Sequence, residues 1–125
     1  MDRSLLCRAL AASALAATVT SCDDGCTLEL RWGIAAEVRD AATGGLLASL
    51  PRGVARDGIY EDSLHAPGDP SSPAALVGAE ERPGTYQVQI EALGYAPWDT
   101  AGIKVGHDGC HVETASFTAR LTAAP

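Results

Sequence analysis

Basic residues are scarce in this sequence of 125 residues: nine lysines and arginines stand against sixteen aspartates and glutamates, and they nowhere cluster. A field of that sign repels phosphate backbones and anionic headgroups, which argues against nucleic acid as a partner. No apolar run reaches the roughly 20 residues a helix needs to cross a hydrocarbon layer, so a permanent transmembrane helix is disfavoured. No convincing amphipathic helical period appears, and there is no internal repeat or low-complexity tract. G-x-S-x-G, H-E-x-x-H and C-x-x-C-H are all missing. A nucleophile elbow, a zinc-protease helix and a haem attachment site therefore have no anchor.

What is present begins with an address. Arg3 and Arg8 lie at or beside the start of an apolar, alanine-rich run, Ala9 to Val19, which ends in small residues. That is the layout of a secretory signal. The junction Val19-Thr20-Ser21-Cys22 resembles the bacterial lipobox, in which the cysteine thiol is acylated and becomes the first residue after cleavage. Residues 1–21 are thus expected to be a lipoprotein signal peptide, with Cys22 the lipidation site, and the attached chains supply membrane affinity that nothing else here offers. An ordinary signal cleaved near Ser21, with Cys22 a plain thiol, is the alternative. Asp23-Asp24 either mark retention at an inner membrane or simply begin a solvated tether, residues 22–25. Without residues 1–21 the chain carries 15 acidic and 7 basic side chains, a formal charge of −8.

Cys7 follows the large Leu6 and departs with the signal. If Cys22 is acylated, Cys26 and Cys110 remain as a pair in a compartment that permits disulfides, and a bridge is the economical reading. It would join the first strand to the last and stabilise the fold by roughly 4–5 kcal/mol at most. The rival is a metal site at His107, Cys110 and His111, with Asp108 between them and Cys26 as a further ligand. In a strand, however, Cys110 and His111 point to opposite faces, and no second close ligand pair exists. No metal or cofactor is expected; two free thiols are the remaining alternative.

Residues 26–122 read as short strands punctuated by turns, with 123–125 a tail. Leu28, Leu30, Trp32, Ile34, Ala36 and Val38 share one parity, which predicts a half-buried strand or two strands parted by Gly33. Asp40 to Gly45 reads as a turn, and Leu46 to Leu50 as a short strand ending at Pro51. Asp57-Gly58 predicts a tight hairpin. His65 to Pro73 is a proline-rich surface loop. Ala75 to Ala79 is an edge-strand candidate. Tyr86, Val88, Ile90 and Ala92 alternate with Gln87, Gln89 and Glu91 in the clearest strand of the chain. Ile103 to Val105 is another. The last run, to Leu121, changes parity, which predicts a bulge between Glu113 and Ser116. Strands at this spacing predict an all-β, small antiparallel two-sheet β-sandwich.

With those strands in place the chain resembles the carboxypeptidase regulatory-like family. The segments that carry the resemblance are Val38-Arg39-Asp40-Ala41-Ala42-Thr43-Gly44, Arg56-Asp57-Gly58-Ile59-Tyr60, Gly84-Thr85-Tyr86-Gln87-Val88, Gly94-Tyr95-Ala96-Pro97-Trp98 and Cys110-His111-Val112. The resemblance implies a transthyretin-like, seven-stranded sandwich acting as an accessory or structural module. The same fold hosts hydroxyisourate hydrolases, which end in Tyr-Arg-Gly-Ser; this chain ends Arg120-Leu121-Thr122-Ala123-Ala124-Pro125, so that activity does not carry over.

Few residues invite a site. Glu61-Asp62 and Glu80-Glu81 are paired acids, but each pair adjoins a turn, where solvated charge is the ordinary reading. Asp40, Thr43 and Gly44 offer one carboxylate, too few hard ligands for calcium. Tyr95 and Trp98 follow the best strand and either stack on a sugar ring or fill a sandwich corner. These readings point to a non-enzymatic module of the bacterial cell envelope, lipid-anchored outside the cytoplasm, with an envelope protein as partner. A glycan-binding sandwich using Tyr95 and Trp98 is the second expectation, and a small hydrolase a distant third.

Overall fold

The computed structural model describes residues 25–125; the expected signal peptide, the lipidation site Cys22 and most of the tether lie outside the described residues. The described chain is all-β and folds as a two-sheet sandwich. Its strands are β1 (Ile34–Asp40), β2 (Arg52–Asp57), β3 (Tyr60–Leu64), β4 (Ala75–Gly78), β5 (Gly84–Glu91), β6 (Trp98–His107), β7 (Val112–Glu113) and β8 (Ala115–Leu121). One sheet runs β4-β1-β8 and the other β3-β2-β5-β6-β7.

The core lies between the sheets and follows the alternation of the sequence. Ile34, Ala36 and Val38 of β1, Leu76 of β4 and Ala119 and Leu121 of β8 face Ala55, Leu64, Tyr86, Val88, Ile90, Val105 and Val112 from the larger sheet. β5 buries Tyr86, Val88 and Ile90 and leaves Thr85, Gln87 and Gln89 in water, as its period of two requires. The hairpin at Asp57-Gly58 joins β2 to β3, with Gly58 at φ +60°.

Several expectations are corrected. The sandwich is not wholly antiparallel: β8 runs parallel to β1 from Ile34↔Ala115 to Asp40↔Leu121. The reason is local. β7 pairs with β6 in the larger sheet, the chain breaks at Thr114, and β8 continues in the same direction into the smaller sheet, where β1 also begins. The parity change expected as a bulge is this change of sheet, and it makes eight strands where the resemblance implies seven. The Thr114 hydroxyl donates to the Trp32 carbonyl at 2.6 Å, and the Ala115 N–H donates to the Gly33 carbonyl at 2.8 Å, so the crossing is held to the start of β1.

Leu28 to Trp32 are not strand, and Leu28 and Leu30 are exposed. Leu46 to Leu50 form a bend rather than a strand, and β2 begins only after Pro51. β6 is longer than expected and carries a bulge: between the pairs Tyr86↔Ile103 and Val88↔Thr100, Gln87 of β5 opposes both Ala101 and Gly102 of β6, with Gly102 at φ +72°.

Candidate functional site

The two ends of the sandwich differ. β6 spans ten residues, roughly 30 Å, with Leu93 to Pro97 just before its first residue and Cys110 just beyond its last. One end therefore carries the loops 41–51 and 92–97, and the other carries the disulfide.

At the loop end the Tyr95 hydroxyl donates to Asp40 Oδ2 at 2.9 Å and accepts the Ala48 N–H at 3.2 Å. Asp40 Oδ1 also accepts the N–H groups of Ala42 and Thr43, at 2.8 and 3.1 Å. The Tyr95 hydroxyl, followed by those two backbone donors, holds the Asp40 carboxyl below the usual carboxylate range. Ser49 Oγ donates to the Leu93 carbonyl at 2.7 Å and closes one loop on the other. Trp98 stacks on Phe117, with centroids 5.9 Å apart and planes 12° from parallel. The two aromatic residues expected as a stacking platform thus share one end of the fold, but Tyr95 acts as a corner tie and one face of Trp98 is covered.

What the ties present outward is apolar. Leu50 and Leu93 are 89% and 88% exposed, and Leu46 is 55% exposed. Clefts of about 250 and 420 Å³ flank Leu50, the larger also bordered by Arg52, Glu91, Tyr95 and Pro97. Sequence reading missed this cluster because Leu46 to Leu50 has the composition of a strand, and only its tertiary setting leaves the leucines outside.

At the opposite end Cys26 and Cys110 form a disulfide, with Cα atoms 5.2 Å apart. The bond does not join the first strand to the last; it ties the segment ahead of β1 to the turn between β6 and β7. His111, 8% exposed, places Nδ1 2.7 Å from Glu81 Oε1 and Nε2 3.0 Å from Thr27 Oγ1. Both ring nitrogens are therefore engaged, and the histidine is turned away from Cys110 chemistry toward packing. Asp108 Oδ1 accepts the N–H groups of His111 and Cys110, which lowers its carboxyl below the ordinary value.

Glu81 is the residue that sequence reading undervalued. Its carboxylate accepts the Arg31 N–H at 2.8 Å and the Val112 N–H at 3.2 Å besides meeting His111. Burial would push its carboxyl up, but the His111 contact and the two N–H bonds outweigh it, and the net position is below the ordinary value. Nothing local separates Glu81 from Glu80; the distinction comes from partners 30 and 50 residues away. Asp62 is likewise structural, its Oδ2 accepting the Ala79 N–H at 2.8 Å beside the turn where Ala79 and Glu81 both take positive φ. Arg82 lies 3.7 Å from the centre of the Tyr60 ring, donates to the Tyr86 hydroxyl at 2.9 Å and pairs with Asp57 at 3.1 Å.

No family model, curated protein or solved structure matches the chain. Among the described residues, the pairs Asp40–Tyr95, Asp57–Arg82 and Glu81–His111 are each joined side chain to side chain, and Asp40 and Glu81 also accept backbone N–H groups. Their chemistry is that of ties between segments.

Proposed function

We propose that the chain is a non-enzymatic binding module of the bacterial cell envelope, lipid-anchored through Cys22, which docks an envelope protein at its loop end. The observation that carries this reading is the placing of Leu46, Leu50 and Leu93 at the end opposite the Cys26–Cys110 bond. A tether entering at Cys26 leaves the sandwich at the disulfide end, where Leu28 and Leu30 are exposed beside it, so Leu46, Leu50 and Leu93 form the apolar group that points away from the anchor. Large exposed apolar side chains grouped at one end mark contact surfaces more often than scattered ones do. The engagement of the acids and of His111 in ties between segments supports a binding rather than a hydrolytic role. The Val38–Gly44, Gly84–Val88 and Gly94–Trp98 segments further support placing the sandwich with the carboxypeptidase regulatory-like domains.

The glycan reading at Tyr95 and Trp98 is weaker, since the Tyr95 hydroxyl is occupied and Trp98 is stacked on Phe117. In-cell crosslinking of tagged full-length protein tests the proposal. A single dominant envelope protein is expected, lost in a Leu50→Asp/Leu93→Asp variant, and Cys22→Ala is expected to release the domain from membranes. Crosslinking indifferent to the two leucines would remove the docking surface, and retention of Cys22→Ala on membranes would remove the anchor.

A further inference from the structure

The outer face of the smaller sheet carries a third concavity, separate from the loop end. It is a cleft of about 510 Å³, within the range of roughly 300–1,000 Å³ usual for small-ligand sites. Its floor is β1 from Ala35 to Arg39, where Ala35 is in register with Ser116 of β8 and Glu37 with Ala75 of β4. Its walls are the segment 71–75 on one side and Ser116 to Thr118 on the other.

We infer that this cleft binds a short neutral oligosaccharide. Three observations select that chemistry. Glu37 and Arg39, two apart on one strand and so on one face, are paired through Glu37 Oε1, with Arg39 Nε at 2.8 Å. The pair cancels its own charge and leaves Glu37 Oε2 as an acceptor and Arg39 Nη1 as a donor, held in place before any ligand arrives. The Ser71 hydroxyl is taken by Asp69, whereas those of Ser72, Ser116 and Thr118 make no hydrogen bond among the described residues, and each both donates and accepts. The exposed ring of Pro73, with Ala35 and Ala75, gives the same cleft an apolar surface of the kind that the C–H face of a sugar covers, while Phe117 turns its ring inward onto Trp98. A polyhydroxylated, uncharged ligand satisfies donors, acceptors and an apolar wall together. An anionic one meets a protein of formal charge −8 after signal removal, and an apolar one would strand the hydroxyls.

Amide spectra of the full-length protein in a zwitterionic, sugar-free detergent test the inference during titration with cellotriose, maltotriose and triacetylchitotriose. At least one trisaccharide is expected to give saturable shifts centred on Ala35, Glu37, Ser116 and Thr118. Ser72→Ala is expected to weaken that binding about three- to tenfold, the worth of one lost neutral hydrogen bond. Ser116→Phe, at an exposed strand position that tolerates an aromatic, fills the cleft and is expected to weaken binding at least tenfold. Leu50→Asp leaves it unchanged, which separates this site from the loop end. The inference is overturned if no trisaccharide shifts these amides at millimolar concentration, if Ser116→Phe binds as well as wild type, or if the shifts centre on Leu50 and Leu93. It is equally overturned if a neutral Ala/Ser peptide shifts the cleft amides and the sugars do not.

Discussion

At the scale of single residues, the sandwich is held by a few polar side chains that each satisfy several backbone groups. Tyr95 shows the consequence most directly. Its hydroxyl is the foremost cause of the lowered Asp40 carboxyl, so Tyr95→Phe is expected to raise the Asp40 pKa toward its ordinary value. The side-chain carboxyl resonance followed against pH would read the shift, and an unmoved titration would mean that the Ala42 and Thr43 N–H groups suffice. Tyr86 is the buried counterpart. It is 1% exposed, its hydroxyl donates to the half-buried Arg82 carbonyl at 2.7 Å and accepts from the Arg82 guanidinium at 2.9 Å, and removing that hydroxyl leaves both short of a partner. Tyr86→Phe is expected to cost about 1–2 kcal/mol in urea unfolding. That both tyrosines lie near turns was legible in the sequence. Their partners were not, because Asp40 and Tyr95 are 55 residues apart and no local pattern joins them.

At the scale of elements, the legible strands were those whose periodicity decides burial. In β5, residues Tyr86 to Ile90 alternate strictly, and the structure buries every second one. The segment Leu28 to Trp32 alternates as well, yet no strand lies beside it. Its backbone is instead met by side chains and a turn: the Arg31 N–H by Glu81, the Arg31 carbonyl by the Glu81 N–H, and the Trp32 carbonyl by Thr114. Alternation records which residues would share a face and says nothing of whether a neighbour exists to complete the ladder. For the same reason the parity change near Thr114 was visible while its meaning, a move from one sheet to the other, was not. Gly33 sits at the junction of these pieces. A Cβ there would lie 2.5 Å from the Ala79 carbonyl oxygen, a backbone atom that already accepts the Gly33 N–H at 3.0 Å. Gly33→Ala must therefore push β1 and the Ala79 turn apart, and a loss of about 1–3 kcal/mol is expected by chemical denaturation. A neutral result would show that the turn at Ala79 moves freely.

At the scale of the whole molecule, acidity and the disulfide set how the domain responds to its surroundings. Asp40, Asp69, Glu81 and Asp108 all have carboxyls held below their ordinary values. A carboxylate whose folded pKa lies below its unfolded one contributes stability above the unfolded value, and that contribution is lost as pH falls through the folded value. Urea midpoints are therefore expected to hold near neutrality and to fall below about pH 4, where unfolded carboxylates take up protons first. A midpoint that rises on acidification would mean that relief of the acidic self-repulsion dominates instead. The disulfide acts on a different term. It closes a loop of sequence separation 84, for which the chain-entropy model gives roughly 4–5 kcal/mol, a large share of the about 5–15 kcal/mol by which a small domain is stable. Its position adds a local effect, because Cys26 precedes Thr27, which contacts His111, while Cys110 is followed by His111 itself. Reduction should then lower the guanidinium midpoint and, under native conditions, accelerate amide exchange first at residues 26–33 and 108–112, leaving β5 protected. Equal acceleration of β5 would show that the bond acts only through the unfolded chain, and that the segment ahead of β1 is held by Glu81, His111 and Thr114 without it.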